Sequence, residues 1–182
     1  MTTDAVTLFF ALLAVGAQLA VLAAVLLAIG GAVSPTAARW RAQAAEAVRP
    51  QALVLACLVA FVAMAGSLYL SEVANFTPCR LCWYQRYAMY PLVPILGIAA
   101  WARWTKVWLP ALVIALIGGS ISVWHILIER YPSLESGSCD PTNPCSLIWV
   151  KRFGYLTIPT MALSGFVLIA TLMLVARPTD TY

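Results

Sequence analysis

Of 182 residues, 63% are hydrophobic and only 10% charged, and the mean hydropathy is +0.89. A chain this apolar is an integral membrane protein, and little of it is left over for a soluble domain. The net charge of +4 would suit nucleic acid in a soluble protein, but here most of the basic residues fall in short segments between apolar runs. There they act as topology signals, with no nucleic-acid partner implied.

About 20 apolar residues cross a bilayer as a helix. Five stretches qualify, 6–29, 51–72, 83–102, 108–128 and 155–176, so the expected fold is an all-α integral membrane protein. The first run is not read as a secretory signal, although Gly31-Ala32-Val33-Ser34-Pro35-Thr36-Ala37 is rich in small residues. No Lys or Arg precedes it, only Asp4, and it is longer than a signal core. Residues 34–50 then carry Arg39, Arg41 and Arg49 against Glu46, which the positive-inside rule places in the cytoplasm.

Span two runs outward to Glu72, and the short segment Val73 to Pro78 delivers Thr77-Pro78-Cys79-Arg80-Leu81-Cys82-Trp83-Tyr84-Gln85-Arg86 at the outer surface. Thr77 can cap a helix with Pro78 in its first position, so Cys79 and Cys82 are expected in the first turns. Unpaired N–H groups and the positive end of the helix dipole stabilise negative sulfur there. Arg86, four residues after Cys82, shares its helical face and brings a permanent positive charge.

Span three ends at a second basic turn, Arg103-Trp104-Thr105-Lys106, flanked by Trp101 and Trp108. Span four travels outward to His125 and Glu129, and residues 130–154 form the longest outer segment, containing Cys139-Asp140-Pro141-Thr142-Asn143-Pro144-Cys145. Span five returns inward and leaves Arg177 and a short tail in the cytoplasm. Both cysteine pairs are thus expected outside, where disulfides persist. Cys57, mid-span among Leu, Val and Ala, reads as a small buried apolar residue without chemistry.

Three uses of Cys79, Cys82, Cys139 and Cys145 compete. Two static disulfides would suit the proline-rich loop, but a staple needs no arginine one turn below a Cys-x-x-Cys. A four-thiolate zinc site fits the first pair better than the widely spaced second, and the compartment is oxidising. The third use is a relay, in which a disulfide in the outer loop takes electrons from a soluble dithiol and passes them to the pair at the membrane surface. Its terminal acceptor at that depth would be a lipid-soluble quinone, since NAD or flavin would need a binding fold absent from this chain.

The run Pro78 to Leu92, the pair Cys139 and Cys145, and Phe153-Gly154-Tyr155-Leu156-Thr157-Ile158-Pro159 resemble the bacterial DsbB/BdbC disulfide-bond-formation family over residues 51–176. The resemblance implies a four-helix transmembrane bundle core in residues 51–182, preceded in 1–50 by one extra N-terminal transmembrane helix and a basic cytoplasmic loop. It implies a quinone-dependent oxidase, using ubiquinone or menaquinone, that reoxidises a thioredoxin-fold thiol oxidase of the DsbA/BdbD type. Its home would be the bacterial cytoplasmic membrane. By the same resemblance, Cys139 forms the mixed disulfide with the partner, Cys145 attacks Cys79, and the released Cys82 thiolate faces the quinone. Arg86 matches the family's quinone-site arginine, against the alternative of a snorkelling interfacial cation. His125, the only histidine, falls where the family has a quinone-proximal residue, against that of a polar residue packed at a helix interface.

The short Cys139/Cys145 spacing is of the Gram-positive type. A vitamin K epoxide reductase homologue is the nearest rival enzyme, but its loop pair precedes the Cys-x-x-Cys, whereas here Cys79 and Cys82 come first. A non-catalytic membrane protein with structural disulfides is the rival from another class.

Overall fold

The computed structural model describes residues 3–135, 139–140 and 142–178. They form six α-helices: α1 (Thr3–Val33), α2 (Pro35–Val48), α3 (Ala52–Leu68), α4 (Arg80–Trp101), α5 (Trp108–Arg130) and α6 (Ile158–Ala176). Among the described residues there is no strand, only two isolated bridges. In a bilayer every backbone N–H and C=O must find its partner within the chain, and helices do this within one segment. The protein is thus an all-α, multi-pass membrane protein.

Four helical segments are long and apolar enough to cross a membrane: Thr3–Val33, Pro35–Val73, Thr105–Arg130 and Ile158–Ala176. The remaining expected span, 83–102, corresponds to α4. Its 22 residues reach about 33 Å at 1.5 Å per residue, but Arg80, Gln85 and Arg86 dilute its hydropathy.

Residues 34–50 form α2 rather than a loop. Ser34 takes an extended conformation that ends α1, Pro35 opens α2, and the Ala-, Arg- and Gln-rich run that follows has high helix propensity. No residue of α2 is buried. A 3₁₀ turn at Arg49–Gln51 links it to α3. The start of α4 also differs from expectation: the cap is Cys79, not Thr77, and the helix begins at Arg80. The far tail, residues 179–182, lies outside the described residues, as do 136–138 and Pro141 in the cysteine loop.

The core lies among α3, α4, α5 and α6. Ala52, Ala56 and Ala60 of α3, Leu92 and Leu96 of α4, Ala111 and Ala115 of α5, and Phe166, Ile169 and Met173 of α6 are all buried in it. Because lipid is as apolar as these side chains, helix association depends on close packing, and small residues allow it. Gly118 shows the limit: a Cβ there would lie 2.3 Å from the Phe166 ring.

Helix α1 packs outside this core, against α6 and α2. Its Phe10 ring sits on Gly66 of α3, where a Cβ would come within 2.8 Å. Polar ties hold it as well: Gln18 Nε2 donates to Ser164 Oγ at 2.9 Å, and Tyr155 Oη donates to Gln18 Oε1 at 2.7 Å. Arg152 reaches Asp4 and the Thr7 hydroxyl. That arginine is aimed by a tight reversal in which Phe153 and Gly154 both have positive φ while Arg152 and Leu156 exchange backbone hydrogen bonds. Gly154, at φ 78°, takes this conformation without the penalty a Cβ would bring.

Candidate functional site

Four segments converge at one end of the bundle: the end of α3, the start of α4, the second half of α5, and the loop that carries Cys139 and Cys145. Cys79 caps α4 with its own sulfur, which accepts from the Cys82 backbone N–H at 3.4 Å. The two sulfurs are 3.0 Å apart, and both are free thiols. Cys139 and Cys145 are joined in a disulfide, so the four sulfurs do not make a four-thiolate metal set.

The two pairs meet through His125. Its Nε2 lies 3.1 Å from the Cys145 carbonyl oxygen and 3.6 Å from Cys79 Sγ. Its Nδ1 lies 3.1 Å from Gln85 Nε2. An amide nitrogen only donates, so Nδ1 is the acceptor and the ring proton sits on Nε2, aimed at the Cys145 carbonyl and the Cys79 sulfur. Both side chains are buried, His125 at 3% exposure and Gln85 at 6%. The Cys79 thiol is held below the ordinary thiol range, first by the hydrogen bond from the Cys82 thiol and then by His125, which together outweigh burial.

The disulfide loop is fastened by residues to which the sequence reading gave no role. Glu135 accepts from the Cys145 backbone N–H through one carboxylate oxygen and from Ser146 Oγ, at 2.7 Å, through the other. Asn143 Nδ2 donates to the Pro78 carbonyl at 3.1 Å, tying the loop to the segment before Cys79. Phe76 stacks on Trp149 with ring centroids 5.1 Å apart. Asp140 accepts from the Thr142 hydroxyl and backbone N–H, which lower its pKa from the usual carboxylate value in that order. A void of about 20 Å³ between Cys79, Cys82, His125 and Glu129 is the size of a single water.

Cys82 also borders a second, larger space. A cavity of about 410 Å³ runs between α1, α3, α4 and α6, and Cys82, Gln85, Arg86 and Tyr90 line it from α4. Arg86 is 8% exposed. Its Nε and Nη2 donate to the hydroxyl and carbonyl of Ser67, both at 2.9 Å, and its guanidinium lies 4.9 Å from the Trp83 ring centre. These contacts hold the charge inside the bundle rather than at its rim. His125 does not line this cavity; it lies between the two cysteine pairs. Cys57 stands apart, its thiol turned to the Val93 carbonyl at 3.5 Å.

The profile of the family described as Disulfide bond formation protein DsbB matches residues 49–176. The chain belongs to this family. Among similar proteins, Disulfide bond formation protein C of Bacillus subtilis (strain 168) is 44% identical over 117 residues, which cover 64% of this chain and 85% of that protein. A probable disulfide formation protein of Oceanobacillus iheyensis is 43% identical over 124 residues, 67% of this chain and 86% of its own length. No solved structure matches the chain at a significant level. Membership in the DsbB family makes this a membrane thiol oxidoreductase of disulfide formation. It sets aside both the epoxide reductase and the non-catalytic alternatives. The match begins at residue 49, so α1 and α2 lie outside it.

Gln85, Glu135, Asn143, Ser67 and Tyr90 gave little notice in the sequence. Gln85 alone carried a signal, an amide three residues after Cys82 and next to Arg86 in a stretch expected to enter the membrane.

Proposed function

We propose that the protein reoxidises a thioredoxin-fold thiol oxidase of the DsbA/BdbD type and delivers the electrons to a membrane quinone. The observation that carries this reading is the seat of His125 against both Cys145 and Cys79, with Cys82 and Arg86 opening on an apolar cavity. On this reading residues 51–182 carry the redox chemistry, the cysteine end faces outward from the bacterial cytoplasmic membrane, and residues 1–50 are an addition.

The cavity fits such a ligand. Its volume of about 410 Å³ falls within the roughly 300–1,000 Å³ of ligand pockets. Tyr90 lines it and carries a buried hydroxyl with no hydrogen-bond partner among the described residues. Such an orphan is costly unless a ligand satisfies it. Arg86 and Tyr90, one helical turn apart, would hold the quinone's two carbonyl oxygens. When bound, the quinone supplies an acceptor for two electrons and two protons.

Electrons enter at the loop. A partner thiolate attacks Cys139, the Cys139–Cys145 bond breaks, and Cys145 leaves as a thiolate. Cys145 then attacks Cys79 of the oxidised Cys79–Cys82 pair, and Cys82 leaves as a thiolate beside Arg86. The partner's second thiol resolves the mixed disulfide and leaves as a disulfide. Cys139 then joins Cys145, which leaves Cys79 and Cys82 reduced. Closing the Cys79–Cys82 bond releases the two electrons. His125 serves the exchange between pairs by holding a proton at Nε2, where it donates to the thiolate that forms on Cys79.

The test is anaerobic oxidation of a reduced thioredoxin-fold thiol oxidase by the purified chain, followed by quinone absorbance. Turnover is expected only with quinone present. Equal turnover with quinone extracted and oxygen removed would overturn the assignment.

A further inference from the structure

We propose that α1 forms part of the quinone site itself, as the wall along which the ligand's apolar body lies. The inference rests on the quinone reading above. Phe10, Leu13, Ala14, Gly16, Ala17 and Ala20 of α1 line the same cavity as Cys82, Arg86 and Tyr90 of α4. Without α1 that side of the cavity would open on lipid.

Gly16 marks the space. Glycine weakens the middle of a helix, and its usual excuse is close packing. Gly66 and Gly118 have that excuse, each with an aromatic ring against it. A Cβ at Gly16 would meet nothing within 4 Å, so its missing side chain leaves room that the protein itself does not fill. Across the cavity the partnerless Tyr90 hydroxyl points to a ligand independently of α1.

The wall is held in place by contacts on either side of Gly16. Asp4 and Thr7 bind Arg152, and Gln18 bridges Tyr155 and Ser164. Leu12, Leu19 and Leu26 are exposed and do not line the cavity, which leaves them for lipid. Because α1 lies outside the family match, this wall is added to the family's core rather than inherited with it.

The experiment uses the full chain in lipid nanodiscs with a photoreactive azido-quinone, the labelled residues being mapped by mass spectrometry. Affinity is read separately, by quenching of tryptophan fluorescence with a short-chain quinone. Label within residues 10–20, competed by unmodified quinone, is expected beside label on α4. Gly16→Leu should weaken quinone binding about tenfold, while the lipid-side Leu19→Phe changes it less than twofold. Mixed-disulfide formation between Gly16→Leu and the partner at the wild-type rate verifies the fold. Label on α4 with none on residues 10–20, or unchanged affinity in a folded Gly16→Leu protein, would overturn the role of α1 and leave the quinone reading standing. Absence of any competable label or quenching in the wild type would remove the quinone reading, and this inference with it.

Discussion

Gln85 Nε2 donates to His125 Nδ1 across 3.1 Å, two buried side chains on α4 and α5 that lock one histidine tautomer between the two cysteine pairs. The remaining ring proton then faces the Cys145 carbonyl and the Cys79 sulfur. On the proposed reading, the proton beside Cys79 is set by Gln85 through the histidine ring.

Gln85→Leu removes this constraint. Losing one buried hydrogen bond is worth about 1–2 kcal/mol, which is roughly tenfold in rate. Transfer from the loop pair to Cys79 is expected to slow by that factor in single-turnover quench experiments. Formation of the mixed disulfide with the partner, proposed above to occur at Cys139, should keep its rate. Equal slowing of both steps would show that Gln85 supports only the fold.

The Cys79 thiol, in its reduced pair, should alkylate as a thiolate well below the pH at which a free cysteine fades. The sign follows from its lowered pKa: the thiolate persists as pH falls until that lowered value is reached. Cys82→Ala should move the alkylation midpoint up most, because it removes the Cys82 hydrogen bond, the largest cause, and His125→Leu should move it up less. Iodoacetamide rates between pH 5 and 9, read at the Cys79 peptide, give the order.

The proposed series operation makes a sharp demand on the cysteines. Cys139→Ser or Cys145→Ser should abolish oxidation of the partner while Cys79 and Cys82 remain oxidisable by quinone. Cys57→Ala should leave turnover nearly unchanged, since its thiol is turned to the Val93 carbonyl within the apolar core. Partner turnover retained in the Cys139 variant would sink the relay order.

Arg86→Lys keeps the charge but loses the planar fork that binds Ser67 twice. Arg86→Met loses both. Apparent quinone affinity should fall in that sequence, with mixed-disulfide formation spared. A slowed mixed-disulfide step with unaltered quinone dependence would place the arginine's work elsewhere.

Gly118 and Gly119 are neighbours with opposite tolerance. Gly118→Ala drives a methyl into the buried Phe166 ring, whereas Gly119→Ala makes ordinary contacts at 3.8 Å. Overpacking costs about 1–3 kcal/mol, so Gly118→Ala should lower the melting temperature in detergent. Gly119→Ala should leave it unchanged or raise it, because alanine favours helix.

The all-α membrane class was legible in the chain alone, and so was the spacing of Cys79, Cys82 and Arg86, because both are local properties. Twenty-residue apolar runs become helices wherever backbone groups lack water, and the spacing of Cys79, Cys82 and Arg86 sets their order along one helix. Helix α2, Pro35–Val48, is equally local, since its alanines favour helix wherever they stand. What only the tertiary structure decided are the contacts between segments far apart in the chain: Gln85 with His125, Glu135 with the Cys145 loop, Arg86 with Ser67, and α1 with the cavity. No periodicity encodes them. Each is a hydrogen bond or a void between segments that meet only when the chain is packed, and small residues such as Gly66 and Gly118 set how closely the helices approach.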